Sequence, residues 1–114
     1  MGDDHIKIRK AIGTWVVRAG GAVLGETTNA LELNEGNMPP VIYFPRADLG
    51  MAFLEATDTR SSCPYKGEAT YYSIHTKSVV IADAGWSYED PKDLVAEIKD
   101  HIAFYPQKAA VEQL

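Results

Sequence analysis

The single cysteine of the chain stands in the segment Cys63-Pro64-Tyr65-Lys66-Gly67, whose residue types and spacing are compatible with nucleophilic chemistry. Proline suits the second position of a tight turn, and such a turn brings its first and fourth residues within about 7 Å of each other. The Cys63 thiol would then lie near the Lys66 ammonium, and a neighbouring cation stabilises the thiolate. This spacing makes Cys63 and Lys66 the candidate catalytic residues.

The same segment also has a purely structural interpretation. Unpaired cysteines are among the residue types most often buried. Pro64 and Gly67 suit a turn whatever the thiol does, because proline restricts φ and glycine tolerates strained backbone. In this interpretation Cys63 fills part of the core and Lys66 points to solvent. Both interpretations remain open at this stage.

Metal and phosphate chemistry are not supported by the spacing of the residues. A structural zinc site needs four Cys or His ligands at paired spacings, whereas His5, His75 and His101 are far apart. A phosphate loop needs a glycine upstream of its lysine and a Ser or Thr after it, and the segment around Lys66 has neither. We therefore predict no metal and no cofactor.

Aromatic residues are dense for so short a chain. The rings considered for a pocket are Trp15, Tyr43, Tyr65, Tyr71, Tyr72, Trp86, Tyr88, Phe104 and Tyr105. We expect Trp86 and Tyr88 in a loop, where side chains are free to line a pocket. With Tyr71, Cys63 and Lys66 they form the candidate ligand-binding set, in which Lys66 anchors an anionic or carbonyl-bearing molecule. Each ring taken singly also suits a core.

Short alternating and β-prone runs predict that strands supply most of the framework. The segment 15–27 is predicted to be a hairpin that turns over Gly20 and Gly21, because paired glycines supply the positive φ of such turns. Further strands are predicted from 31–33, 41–44 and 68–84, the last of these turning around residues 76 and 77. Residues 57–62 are predicted to be a polar loop.

Two helices are predicted, over about 46–56 and 91–103. Leu49, Ala52, Phe53 and Ala56 fall at helical spacing, and so do Leu94, Val95, Ile98 and Ile102. Proline near each start, together with Asp48 or Asp90, favours a helix terminus. Because short turns join most of the strands, the predicted fold class is α+β, mainly antiparallel β.

Composition and charge limit the classes of function. The chain has 114 residues and a net charge of −5, so we expect one domain over 1–114 and no binding to nucleic acid. No stretch is apolar enough for a membrane span, and the N-terminus lacks a secretory pattern, which together predict a cytoplasmic protein without membrane association. An exposed sheet edge would allow a homo-oligomer, although no residue requires one.

Four segments carry a resemblance to a known family. They are PPVIYFPRADL, TDTRSSCPYKGEATYYSI, AGWSYEDP and IAFYP. In their order and spacing they resemble the bacterial family called domain of unknown function 427, over nearly the whole chain. The positions that match its motif are Pro40, Tyr43, Pro45, Asp48, Cys63, Pro64, Lys66, Gly67, Ala69, Tyr71, Trp86, Tyr88, Pro91, Phe104 and Tyr105. The resemblance implies a compact β-tent-like sheet domain, and the family also carries a nucleotidyltransferase-like label.

Three functions follow as hypotheses. The first is a small-molecule-binding module whose aromatic pocket lies around the CPYKG and GWSY segments. The second is an enzyme, which would use either the Cys63 thiolate or nucleotidyl transfer with magnesium held by acids drawn from Glu32, Glu35, Asp48 and Asp58. The third is a protein-interaction domain that presents the segment GWSYEDP.

Overall fold

Strands dominate the computed structural model, which describes residues 5–114. The strands are β1 (Ile6–Lys10), β2 (Trp15–Ala19), β3 (Ala22–Thr27), β4 (Leu31–Glu35), β5 (Val41–Pro45), β6 (Leu54–Cys63), β7 (Gly67–His75), β8 (Val80–Ser87), β9 (His101–Phe104) and β10 (Ala110–Gln113). Short 3-10 segments lie at Arg46–Asp48, Met51–Phe53 and Asp93–Ile98. Neighbouring strands in the described part of the chain run antiparallel. The prediction of a mainly antiparallel β fold is confirmed.

The strands form two sheets. The larger has the order β1-β4-β5-β9-β8-β7-β6, and the smaller has the order β10-β2-β3. The predicted hairpin over residues 15–27 is confirmed, with Gly20 and Gly21 in its turn at φ of 56° and 77°. Such values carry no steric penalty for glycine. The predicted pairing of β7 with β8 is also confirmed, with Ile74 opposite Ile81.

The larger sheet is buried on both faces at its centre. Along β5 and β9, alternate residues enter different hydrophobic clusters, as a strand with period two requires. Phe44 and Ile102 pack with Val17 and Leu24 of the smaller sheet. Tyr43 and Ala103 pack on the opposite face, in the cluster that contains Val95 and Ile98. The smaller sheet therefore covers one face, and the segment Asp93–Ile98 covers the other.

The helix predicted over 46–56 is wrong. Only the short 3-10 segments Arg46–Asp48 and Met51–Phe53 form there, and β6 begins at Leu54. The residues at helical spacing do not share one buried face, because Leu49 is buried while Ala52 and Ala56 are exposed. Leu49 is instead held in extended conformation by an isolated antiparallel bridge to Gly25 of β3.

The helix predicted over 91–103 is also wrong. A 3-10 segment covers Asp93–Ile98, its N-cap is Lys92 rather than Asp90, and Val95 has non-helical φ and ψ. Val95 and Ile98 are the buried residues of this segment. Ile102 belongs to β9 and packs on the opposite face of the sheet. The α+β class with two helices is therefore not confirmed.

Two local predictions need correction as well. Residues 57–62, predicted to be a loop, form the middle of the ten-residue strand β6. Trp86, predicted in a loop, lies in β8 opposite Tyr71, and Tyr88 directly follows the strand. The β-branched residues Thr57 and Thr59 favour a strand despite the polarity of the segment. Among residues 5–114, no helix is long and apolar enough to cross a membrane.

Candidate functional site

The CPYKG segment is the connection between β6 and β7. Cys63 pairs with Gly67 at the end of the ladder, and residues 64–66 form the turn between them. Gly67 has φ of 112°, a conformation that side-chain-bearing residues rarely adopt. The Lys66 carbonyl accepts a hydrogen bond from the Lys92 amide at 3.0 Å, and the Lys92 ammonium donates to the Pro64 carbonyl at 2.9 Å. The turn is therefore tied to the segment that precedes Asp93–Ile98.

Lys66 is bound within the protein. The residue is buried, and its Nζ donates to Oε1 of Glu35 at the end of β4, 2.6 Å away. Nε2 of His5 lies 3.7 Å from the other oxygen of Glu35, and the His5 ring meets the Tyr65 ring edge-on, with centroids 4.3 Å apart. The expectation that Lys66 points to solvent is wrong. Its charge is matched by Glu35, which links the β6–β7 turn to β4.

The predicted aromatic residues are connected through a chain of hydrogen bonds and ring contacts. The Trp86 indole N–H donates to the Tyr43 hydroxyl at 3.2 Å, and its ring lies 4.6 Å from that of Tyr105. The Tyr105 hydroxyl donates to the Tyr71 hydroxyl at 3.4 Å, and the latter lies 2.8 Å from Oγ of Ser61. These contacts join β5, β6, β7, β8 and the residue after β9.

Several tyrosine hydroxyls in this region are held in the neutral form. Burial raises the pKa of Tyr43 and of Tyr88 well above the ordinary value, because desolvation penalises the phenolate. Burial, and then the hydrogen bond to Tyr71, raises the pKa of Tyr105 to about 12. The rings of this cluster therefore act as neutral apolar surfaces with hydrogen-bonding tips, rather than as acid–base groups near neutral pH.

Stability is expected to fall as pH rises from about 10 to about 12. Unfolded tyrosines lose their protons near pH 10, whereas Tyr105 keeps its proton to about 12, so the folded state binds more protons in this window. Tyr105→Phe should therefore lose less stability between about pH 9 and about pH 11 than the parent protein does. Urea unfolding at both pH values measures the change, and Tyr65→Phe in the exposed turn is the control. An equal loss in Tyr105→Phe and the parent would contradict the assignment.

A cavity opens where β5 begins and β9 ends. The ladder pairs Tyr43 with Ala103, and continuing the register would place Pro40 opposite Pro106. Proline has no N–H to donate to a ladder, so the two strands cannot pair there. The cavity at this place has a volume of about 680 Å³. Its lining residues are Trp15, Glu32, Met38, Pro39, Pro40, Val41, Ile42, Trp86, Phe104, Tyr105, Pro106, Gln107 and Val111.

The cavity wall is mostly apolar and comes from both sheets. Trp15 and Val111 belong to the smaller sheet, whereas Ile42, Phe104 and Trp86 belong to the larger one. Both tryptophans of the chain line the cavity. A volume of this size is in the range of pockets that hold small molecules, which are typically about 300 to 1,000 Å³. The arrangement can enclose a planar or apolar molecule against aromatic rings.

The five residues predicted from sequence to bind a ligand do not all line the cavity. Cys63, Tyr71 and Trp86 are partly buried against the cluster that contains Tyr88, and Lys66 lies in the adjoining turn. Of these five residues, only Trp86 lines the cavity. The segment CPYKG contributes no lining residue to it.

Sequence reasoning considered Trp15 as a pocket ring and Glu32 as a metal ligand but included neither in the predicted ligand-binding set, and it missed Ile42. The sequence signal that was present is the pair of proline breaks, one before β5 and one after β9.

The acids considered for nucleotidyl transfer do not converge. Within residues 5–114, no three or more His, Cys, Asp or Glu side chains are grouped closely enough to hold a metal ion. Glu32 accepts hydrogen bonds from Arg9, and Glu35 accepts one from Lys66. Oδ2 of Asp48 accepts a hydrogen bond from the Thr27 hydroxyl at 2.6 Å. These carboxylates are thus engaged at separate places in the fold.

A family model matches nearly the whole chain. The model of a family described as Domain of unknown function (DUF427), labelled as a nucleotidyltransferase family, matches residues 7–113. No curated protein matches the chain. The matched range contains every cavity-lining residue and, apart from Ile6 at the start of β1, every residue of both sheets.

Proposed function

We propose that this chain, which belongs to the Domain of unknown function (DUF427) family, binds a small, largely apolar molecule in the cavity between its two sheets. The observation that carries the proposal is the cavity of about 680 Å³ that both tryptophans line. Burial of apolar ligand surface against Trp15, Trp86 and Tyr105 supplies the favourable free energy.

The rim of the cavity favours binding because it is rigid. Pro39 and Pro40 lead into β5, and Pro106 follows β9. Proline restricts the backbone before any ligand arrives, so little conformational entropy is lost on binding. Ile42 and Phe104 stand on regular strands behind this rim, which places the wall on paired backbone. This construction supports a site whose wall needs little rearrangement to accept a ligand.

The other hypotheses have less support. In the segment GWSYEDP, Trp86 and Tyr88 are turned at least partly into the protein, and Glu89 pairs with Arg46. An interaction surface would instead require exposed rings. An enzyme that transfers nucleotides would need acids grouped around a metal ion, and no such group is found among residues 5–114. The charge of Lys66 is already matched by Glu35. We therefore favour a binding module over thiolate chemistry at Cys63 or nucleotidyl transfer.

The test is a titration with 2-naphthalenemethanol, a neutral planar probe. Because both tryptophans line the cavity, saturable binding should change the intrinsic fluorescence and shift both indole N–H signals in the amide NMR spectrum. Ile42→Phe should weaken binding at least about fivefold by filling the space. Val23→Phe, at an exposed position outside the cavity, should leave binding unchanged. The absence of saturable binding up to about 1 mM, or binding that Ile42→Phe leaves unaffected, would refute the proposal.

A further inference from the structure

Among residues 5–114, Glu32 is the only charged residue that lines the cavity. It lies on β4 opposite Ile42 of β5, and its side chain is 17% exposed. Arg9 of β1 donates to both of its oxygens, at 3.2 and 3.4 Å, and Asn34 donates to Oε2 at 3.2 Å. The hydrogen bonds from Arg9 lower the pKa of Glu32, so the group is a carboxylate at neutral pH.

The aromatic rings of the wall have their polar atoms engaged within the protein. The Trp15 indole N–H donates to the Ile12 carbonyl at 3.0 Å. The Trp86 N–H and the Tyr105 hydroxyl donate to other tyrosine hydroxyls, as described above. A ligand would therefore meet the carbon surfaces of these rings rather than their polar atoms, and the face of an aromatic ring carries negative electrostatic potential that attracts cations.

We propose that the ligand carries one positive charge on an apolar or aromatic body, with its cationic group near Glu32 and the ring faces. This inference rests on the proposed function. No lysine or arginine in the described part of the chain lines the cavity, so an anionic ligand would find no counter-charge in the wall. Lys108 lies 5.7 Å from the centroid of the Tyr105 ring, but its Nζ donates to the Ala82 carbonyl at 2.8 Å. The net charge of −5 also favours a cation.

A matched set of naphthalenes tests the sign of the charge. The probes are 2-naphthylmethylamine as the cation, 2-naphthalenemethanol as the neutral compound and 2-naphthoate as the anion, each titrated at neutral pH with tryptophan fluorescence as the readout. The cation should bind about tenfold more tightly than the neutral compound, and the anion should bind most weakly. An anion that binds as tightly as the cation would overturn the inference.

Two variants separate charge from structure. Glu32→Gln should weaken binding of the cation about five- to tenfold and should change binding of the neutral probe by less than about twofold. Arg9 is 70% exposed, so Arg9→Gln removes its charge with little effect on packing and should tighten binding of the cation about twofold. If both variants weaken all three probes equally, the pair acts only structurally and the inference fails.

The two proposals fail in different ways. If the neutral probe binds and the cation binds no more tightly, the cavity binds ligands but does not prefer a positive charge. In that case the inference is refuted and the proposed function stands. If the neutral probe shows no saturable binding up to about 1 mM, the proposed function fails, and the inference that rests on it fails as well.

Discussion

Gly25→Ala is expected to lower the free energy of unfolding by about 3 kcal/mol, at the upper end of typical overpacking costs. A Cβ atom on Gly25 would lie 2.6 Å from the Asp48 carbonyl oxygen and 2.7 Å from Cδ2 of Leu49. Neither neighbour can move easily. The Asp48 carboxylate is held by the Thr27 hydroxyl, and Leu49 is buried and bridged to Gly25 itself.

The same contact docks the smaller sheet onto the segment that follows β5. Because the smaller sheet supplies Trp15 and Val111 to the cavity, Gly25→Ala should also weaken binding of 2-naphthalenemethanol. Urea unfolding gives the stability, and fluorescence titration gives the affinity. Gly21→Ala is the matched control, because Gly21 has φ of 77° but no atom within 4 Å of the added Cβ. Its expected cost is about 1 kcal/mol from backbone strain alone. A greater loss in Gly21→Ala than in Gly25→Ala would contradict the close-approach account.

The parts of the fold that could be predicted from sequence are those with local signals. The turn at Gly20 and Gly21 was predictable because positive φ is a property of those residues themselves. The turn of the CPYKG segment was also predictable, because Pro64 restricts φ and Gly67 tolerates positive φ. Alternation also identified short strands such as β4. None of these inferences required knowledge of a distant partner.

The two helix predictions were wrong because apolar residues spaced by three and four also occur where a 3-10 segment leads into a strand. Ile98 and Ile102 have helical spacing, yet they pack on opposite faces of the larger sheet. What separates them is the pairing of β9 with β5 and β8, which are distant in sequence. Tertiary pairing of this kind overrides a weak local preference.

The site shows the same division between local and distant signals. Aromatic density drew attention to Trp86, which lines the cavity. The cavity itself is lined by Pro40 and Pro106, which lie beyond the paired part of the β5–β9 ladder, and by Trp15 of the other sheet. The partner of Lys66 was also hidden, because Glu35 is 31 residues away. Proximity to Cys63 in sequence suggested a partner for the thiol, whereas the fold supplies a carboxylate.

Glu35→Gln is expected to destabilise the protein by about 2 kcal/mol, less than a fully buried pair because Glu35 keeps partial exposure. The change preserves the shape of the side chain but leaves the buried Lys66 ammonium without its counter-charge. Lys66→Met should cost less, about 1 kcal/mol, because methionine fills the space of the lysine stem and Glu35 remains 25% exposed. Removing the carboxylate should therefore lower the free energy of unfolding more than removing the ammonium does.

The double variant Glu35→Gln/Lys66→Met provides the strict test of that asymmetry. Once the lysine charge is gone, the loss of the carboxylate should add little, so the double variant should be about as stable as Lys66→Met alone. Urea unfolding of the parent, both single variants and the double variant completes the cycle. Glu68→Gln, an exposed change on β7, should stay within about 0.5 kcal/mol of the parent. If the costs of the single changes simply add, the Lys66–Glu35 contact contributes no coupling, and Lys66 would again be a candidate for binding a ligand. Strong coupling would place Lys66 in the framework that holds the β6–β7 turn against β4, and the search for ligand contacts would stay with the cavity wall.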